Sequence, residues 1–592
     1  MYYLASILYF LFTVFLPVVL CVICGFFMLV SSVSISLHLG LEDSIFYIAI
    51  FVLYFCFFSS FPISILLLLI IPWSYDNILR IYYKYNFVGV DDLPASVAKL
   101  IRENFERRGK RLPKIGIIQS PNMICFSYGI SFSSLRIFLS QGLIDGLDEE
   151  ELKAVVAHEL GHIFRFYDFV FLTLCAGVPN LVYALTSKFV IFSIMGDVIT
   201  IGSRRSILSV IAGIIFGVIA FVVGYLLYIF VERPLCYISR LREHGADKFV
   251  IDLTRNPVAL VNALIKIANS SVKVRYSVEV EPETDSYREF FTNFGRSPFR
   301  FFSLVDIQKQ STSISLAVMN SKDKSNLVGE VLKFLNWEFL NPWGKFLESY
   351  LSHPRFLERV KRICDYSRNL NISFNIQIPS GSSGISYMIF VKEYLLDRAP
   401  IIIGLVLLAV GIAWISFFKI LKFWHFLLLL PLLFIGFSLG SLIKLFYSYR
   451  GKFSSKKISD LWSEYTVSPI AGIPVIIEGK MVEKDYSTSL IFPTTFFIED
   501  ETGCIPLFFK TGTWITDIFY RMFVLSKLKD KNVTLKGYYR RNDLPYIEVI
   551  EIMHERKKHR PKFKLVWFLC MLIMLLLASV IQVFLLPFVF IF

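Results

Sequence analysis

Two histidines four residues apart, with a glutamate beside the first, stand in the run His158-Glu159-Leu160-Gly161-His162. On a helix, positions i and i+4 share a face, so both imidazoles can reach one metal ion, and the glutamate can reach a water held at that ion. A catalytic zinc takes three protein ligands and keeps one position open, so a third donor must come from another element. Glu243 is the candidate, in the string Ser239-Arg240-Leu241-Arg242-Glu243-His244-Gly245-Ala246-Asp247. A helix there aligns Glu243 with Asp247, whose carboxylate can accept the free N–H of a ligating histidine and orient the ring. His244 competes for the ligand role but projects about a quarter-turn off that face. The chemistry expected is hydrolysis assisted by one Zn2+ per chain. His158, His162 and Glu243 would be ligands, Glu159 the general base, and Asp247 an aid in moving the proton.

The elements that must position these residues can be read around them. Leu147-Asp148-Glu149-Glu150-Glu151-Leu152 has the pattern of a helix start, with Asp148 able to cap, Glu151 at the capping-box position and acidic residues at the positive end of the dipole. That helix runs into the histidine pair. Short apolar stretches between 114 and 143 predict a small sheet before it. The polar stretch 270–345 reads as a loop that could cover the cleft.

Composition sets these elements in a membrane. Hydrophobic residues make up 55% and charged residues 18% of 592, and mean hydropathy is +0.60. A soluble domain would not carry so much apolar surface, and the length exceeds what one core serves. Runs long enough to span a bilayer, which takes roughly 20 residues, lie near 3–29, 45–72, 207–231, 401–418, 424–445 and 565–592. A weaker one at 169–194 contains Pro179 and Lys188. The first run has neither a basic start nor a small-residue cleavage site and is expected to remain as an anchor. Arg80 and Lys84 follow the second run, whereas 30–44 has no Lys or Arg, so the positive-inside rule puts 74–168, 232–398 and 446–564 in the cytoplasm. Arg204, Arg205, Lys419 and Lys422 then fall in short outside loops, against the rule.

The net charge of +14 raises nucleic acid as a partner. Much of the charge lies beside apolar runs, as in Arg556, Lys557, Lys558, Arg560, Lys562 and Lys564, so anionic lipid headgroups fit better. The nine cysteines are scattered, several inside apolar runs; Cys21 and Cys24 have CxxC spacing but no second pair. From about 475 to 552 the pattern changes to short β-rich runs separated by turn signals at Glu501-Thr502-Gly503 and Asn542-Asp543-Leu544-Pro545, which predicts about five strands and a small closed barrel. His554-Glu555 with His559 repeats the metal motif at a spacing of five, which turns the second ring off the face.

HExxH followed across a membrane hairpin by Ser-Arg-x-x-Glu-x-x-Ala-Asp resembles the HtpX and CAAX prenyl endopeptidase family of membrane zinc peptidases. Pro121-Asn122 with Gly129, then Gln141-Gly142-Leu143, are similar to the strand region before that family's zinc helix. Asn256-Pro257, Ala259-Leu260 and Lys266-Ile267-Ala268 are similar to its next helix, and Ser352-His353-Pro354 with Glu358-Arg359 to its closing motif. The resemblance covers roughly residues 1–365. It implies that Asn122 lies along the substrate cleft, that His353 binds the substrate carbonyl or oxyanion, and that Arg359 supports that site. Met123-Ile124-Cys125-Phe126 departs from the family pattern, and a helix-capping turn is an alternative for Ser352-His353-Pro354. Segment 475–552 resembles an OB-fold, with a protein-interaction or substrate-gating role favoured over nucleic acid because no basic, aromatic-rich groove stands out.

The fold expected is mainly α: a polytopic helical membrane protein with a cytoplasmic zincin-like lobe and an appended OB-like β-barrel. Two N-terminal spans fill 1–73. A peptidase domain with a membrane hairpin near 169–231 fills 74–398, a transmembrane hairpin 399–446, the barrel 465–556 and a last span 565–592. The function implied is cleavage of polypeptides, in particular membrane proteins, at the cytoplasmic face of the cell membrane, in quality control. Prenyl-peptide processing is the runner-up. A receptor or assembly factor keeping zinc structurally is the non-enzymatic alternative, which the presence of Glu159 and of only three evident ligands opposes.

Overall fold

The computed structural model describes residues 85–128, 135–165, 233–273 except 235, 304–376 except 324 and 375, 385–417, 429–484, 495–511 and 514–591 except 556 and 562. The apolar runs at 3–29, 45–72, 169–194 and 207–231, and Gly129, lie outside the described residues. The described chain is mostly helical, with two sheets, and it divides into two compact units. One comprises 1–311 with 348–376, the other 312–347 with 377–592.

In the first unit, four strands make a sheet in the order β1-β2-β4-β3. They are β1 (Tyr85–Val88), β2 (Lys114–Ile118), β3 (Cys125–Tyr128) and β4 (Arg136–Ser140). The pair β2 and β4 is parallel, while β1 pairs antiparallel with β2 and β3 with β4, so β3 lies at an edge. β1 precedes the stretch from which a sheet was expected. The apolar runs Ile115 to Ile118 and Ile137 to Leu139 are buried, as a strand covered on both faces requires. Helix α1 (Ala95–Glu106) buries Val97, Ala98, Ile101 and Phe105, one stripe at helical spacing. They join a core with Leu152, Val156 and Leu160 of α3 (Glu149–Phe164).

Between them, α2 (Gln141–Gly146) is capped by Ser140, whose Oγ accepts from the Leu143 N–H at 3.2 Å and from the Ile124 N–H at 2.9 Å. The Gly142 N–H donates to the Ser120 carbonyl at 2.9 Å, and a Cβ on Gly142 would fall 2.1 Å from the Pro121 carbonyl oxygen. The Pro121-Asn122 and Gln141-Gly142 motifs therefore meet where only glycine fits. Residues 236–254 form α4, followed by α5 (Pro257–Lys273) and, later, α6 (Phe356–Asn369).

Among the described residues, the second unit carries three helices long and apolar enough to cross a membrane: α7 (Tyr387–Phe417), α8 (Leu429–Ser448) and α9 (Phe563–Ile591). α7 begins well before the apolar run expected at 401–418. Its first turns mix apolar residues with four charged ones and are anchored within the unit: Glu393 accepts from Trp343 Nε1 at 2.8 Å, and Asp397 from Lys444 Nζ at 2.7 Å. Outward-facing Leu405, Val410, Leu576 and Leu577 are more than half or about half exposed, the surface a lipid solvent would cover.

The expectation of a loop over 270–345 is corrected for its second half. Helices occupy Leu304–Asn320, Leu327–Leu335, Trp337–Leu340 and Pro342–Glu348. Val331, Leu332, Phe334 and Leu335 are buried, and the Trp337 indole donates to the Val467 carbonyl at 2.8 Å. The many polar residues of the stretch hid this narrow apolar stripe.

The second sheet contains β6 (Ile473–Lys484), β7 (Thr495–Asp500), β8 (Gly503–Phe508), β9 (Asn532–Arg541) and β10 (Pro545–His554), with β5 (Ser454–Ser455) and β11 (Lys557–His559) at its margins. β6 pairs with β7, β7 with β8, β8 in parallel with β10, β10 with β9, and β9 back with β6. His554 and His559 lie on these paired strands, on β10 and β11. Arg540 joins the sheet to the end of α8: it donates to the Ser448 carbonyl at 2.8 Å and to Glu548 at 2.7 Å, and Glu548 also accepts from the Tyr449 hydroxyl. The guanidinium thus satisfies a carbonyl that the helix end leaves without an intrahelical partner.

Candidate metal centre

Helix α3 carries the histidine pair because its start is fixed. The Asp148 carboxylate accepts from the Glu151 N–H at 2.9 Å, and Glu151 returns the bond to the Asp148 N–H at 3.0 Å. Lys266 of α5 reaches the same Glu151 carboxylate at 2.6 Å, which sets α5 alongside. α3 then crosses α4 at Gly161. A Cβ there would lie 3.0 Å from Ala246 Cα and 3.1 Å from Phe249 Cβ, so a hydrogen at position 161 and a methyl at 246 let the two backbones approach.

That approach brings three donors together. Ligand atoms of His158, His162 and Glu243 all lie within 4.8 Å of one another. His158 Nε2 is 3.2 Å from Glu243 Oε2, and His162 Nε2 is 3.5 Å from Oε1. On its other side, His158 Nδ1 is 3.1 Å from Asp247 Oδ1. A carboxylate this close favours the tautomer with its proton on Nδ1, which would leave the Nε2 lone pair for a metal ion. Two imidazoles and a carboxylate are the donor set a zinc ion takes with a position left open, so these residues fit the metal.

Asp247 in turn accepts from Arg359 of α6, at 2.9 Å from Nε and 2.6 Å from Nη2. Arg359, which the resemblance sets in support of His353, therefore has its guanidinium on Asp247. His353 Nε2 lies 3.7 Å from Glu243 Oε1, its Nδ1 is 3.1 Å from Ser352 Oγ, and its side chain is 25% exposed. Arg240 of α4 holds the turn before it, donating to the Glu348 carbonyl at 2.9 Å and the Leu351 carbonyl at 2.7 Å. The Ser352-His353-Pro354 turn does not cap α6, whose N-cap is Arg355 without a side-chain bond.

Asn122 is half-buried in the bend after β2, its N–H donating to Ser120 Oγ at 3.2 Å. Glu159 is buried, and one of its oxygens, Oε2, accepts from the Ser127 hydroxyl of β3 at 2.8 Å. Ser127 was not singled out in the sequence; a serine in a short strand, 32 positions before its partner, carries no local signal.

The charges of the cluster depend on one another. Burial opposes charge on His158, but Asp247 and Glu243 outweigh it and push the imidazole up to about 9. Burial lowers His162 despite Glu243 beside it. Burial would raise both acids, yet His353 and His162 hold Glu243, and Arg359 and His158 hold Asp247, well below the usual carboxylate range. His244, outside the three-donor group, is lowered to about 4 by burial and by Arg362. Arg359, Asp247, His158 and Glu243 thus form a buried row of alternating charge.

Residues 91–367, which contain all of these groups, match the model of Peptidase family M48. The protease HtpX homolog of Helicobacter acinonychis (strain Sheeba) is 32% identical over 191 residues, which are 32% of this chain and 54% of that protein. The homolog of Bacteroides fragilis (strain YCH46) is 34% identical over 161 residues, 27% and 48% of the two chains. The chain spans about half the length of these curated relatives. The crystal structure of S. mikatae Ste24p aligns over 53% of this chain and 58% of that one at 17% identity, with a TM-score of only 0.29. The histidine pair of α3 and the glutamate of α4 lie inside the matched range, and the segment that bears them is similar to Peptidase family M48 and to the HtpX proteases.

Proposed function

We propose that the chain is a membrane-embedded zinc metalloendopeptidase. The observation that carries this reading is the convergence of His158, His162 and Glu243 within 4.8 Å, beside the buried carboxylate of Glu159. These three would hold one zinc ion. When bound, zinc supplies Lewis acidity, which lowers the pKa of water from about 15.7 toward 7 and polarises a carbonyl. Glu159 takes the proton of the attacking water and later delivers it to the leaving amine. Asp247 keeps the proton of His158 on Nδ1, and Arg359 keeps Asp247 ionised. His353, partly open to solvent and steadied by the Arg240-held turn, donates to the substrate carbonyl oxygen, while Asn122 borders the cleft.

Apolar α7, α8 and α9, with Lys557, Lys558 and Arg560 just ahead of α9, support a multi-pass protein whose peptidase residues and second sheet face the cytoplasm and its anionic leaflet. The cyclic pairing of β6, β7, β8, β10 and β9 supports an OB-like barrel. Among its described basic residues, Lys480, Lys484, Arg521, Lys529 and Arg540 each meet a carboxylate, which favours a protein-binding or substrate-gating role over nucleic acid. The substrates proposed are damaged or misassembled membrane proteins.

The test is Glu159→Gln in the full chain. The variant should keep its zinc, measured by metal analysis, and lose about 100- to 10,000-fold in cleavage of an unfolded membrane protein, because the amide keeps the shape but not the base. Cleavage at the parent rate would overturn the reading. Preference of the parent for a prenylated C-terminal peptide would redirect it to prenyl-peptide processing.

A further inference from the structure

We infer that Ser127 is a positioning residue that fixes the orientation of the Glu159 carboxylate, a role that rests on the reading of Glu159 as the general base. A glutamate side chain turns about several bonds, and a base must keep one oxygen directed at the water it deprotonates. The Ser127 hydroxyl has one proton to give, and it donates that proton to Glu159 Oε2 at 2.8 Å. Oε1 is left for the reaction.

The tertiary structure brings the two together. Ser127 is in register with Ile137 on the edge strand β3, and α3 packs over the same sheet. Both partners are buried, Ser127 at 5% and Glu159 at 8% exposure, so neither can exchange the bond freely for water. A hydrogen bond to a charged group in such a place is among the stronger ones. The bland alternative is a buried serine that satisfies its own hydroxyl on a convenient acceptor. That role would cost stability when removed but would not act through Glu159.

The experiment compares the parent, Ser127→Ala, Glu159→Gln and the double variant, each full-length and zinc-loaded in detergent. Two readouts are used: kinetics on fluorescein-labelled casein, and calorimetric affinity for a peptide hydroxamate, whose hydroxyl proton a zincin base accepts. Ser127→Ala should keep its zinc and its KM and lose about 10- to 100-fold in kcat. It should weaken the hydroxamate in the parent background but not when Glu159 is already glutamine, since two residues acting through one contact are not additive. A kcat within about twofold of the parent, or an equal loss of hydroxamate affinity in both backgrounds, overturns the inference. If the parent binds zinc yet cleaves no casein, the protease reading fails instead, and the hydroxamate cycle still decides whether Ser127 acts through Glu159.

Discussion

Replacing Asp247 by asparagine takes a negative charge from between two partners that both depend on it. The carboxylate lies 3.1 Å from His158 Nδ1 and accepts two bonds from Arg359, at 2.9 and 2.6 Å. Asp247 is 3% exposed and the Arg359 side chain 11%, so water cannot replace what is lost. Two separable effects follow. Arg359 becomes a buried guanidinium facing a neutral amide, and breaking one side of a buried ion pair costs about 3–5 kcal/mol of stability. The amide also no longer holds the proton on His158 Nδ1. Loss of such an outer partner weakens metal binding about 10- to 100-fold, which is about 1.4–2.8 kcal/mol. The stability loss is therefore the larger, and a second substitution can remove it. In Asp247→Asn/Arg359→Met the stranded charge is gone and its apolar stem is largely kept. Thermal unfolding of the full chain in detergent should fall in the single variant and recover most of the way in the double. Zinc affinity, from competition with a fluorescent chelator, should stay reduced in both. Parent-like zinc affinity in both variants would refute the orienting role of Asp247, and an unshifted transition in the single variant would refute the buried-pair argument.

Gly161→Val puts a branched side chain where even a Cβ meets Ala246 Cα at 3.0 Å. Overpacking of about 1–3 kcal/mol should part α3 from α4 and reduce zinc content while helicity by circular dichroism persists; full zinc in the variant would show that close approach is not required. In the second sheet, burial would raise the Glu548 carboxyl, but Arg540, Lys510 and Tyr449 outweigh it and hold it below its ordinary 4.5. A carboxyl depressed by folding adds stability that is complete above its ordinary value and fades as pH falls toward the folded one. Limited proteolysis between about pH 6 and 3 should show the parent losing resistance below about 4.5, and Glu548→Gln, weaker at neutral pH, losing less over that interval. Parallel curves for the two would discard this linkage.

Periodicity and residue type made the local half of this protein legible from sequence. A capping box at Asp148 and Glu151 announces a helix start because the donors it satisfies are a few residues away. The i, i+4 spacing of His158 and His162 puts both rings on one face whatever the rest of the chain does. Apolar length marks α7, α8 and α9, since lipid imposes a minimum span, although α7 begins before its uninterrupted apolar run, in turns where Lys392, Glu393, Asp397 and Arg398 break the hydropathy. The stripe of Leu327–Leu335 was hidden in the same way, by polar neighbours on the exposed face.

Tertiary structure decided the contacts between residues that share no local pattern. The approach of Glu243 to the histidine pair depends on what Gly161 and Ala246 leave out, a fact about two helices rather than either one. Arg359 meets Asp247 across 112 positions, Arg240 holds the turn before His353 across more than a hundred, and Ser127 meets Glu159 across 32. Each of these bonds is strong only because packing has removed water from around it. Sequence alone determines which side chains are able to pair, and burial in the folded chain determines which of them do.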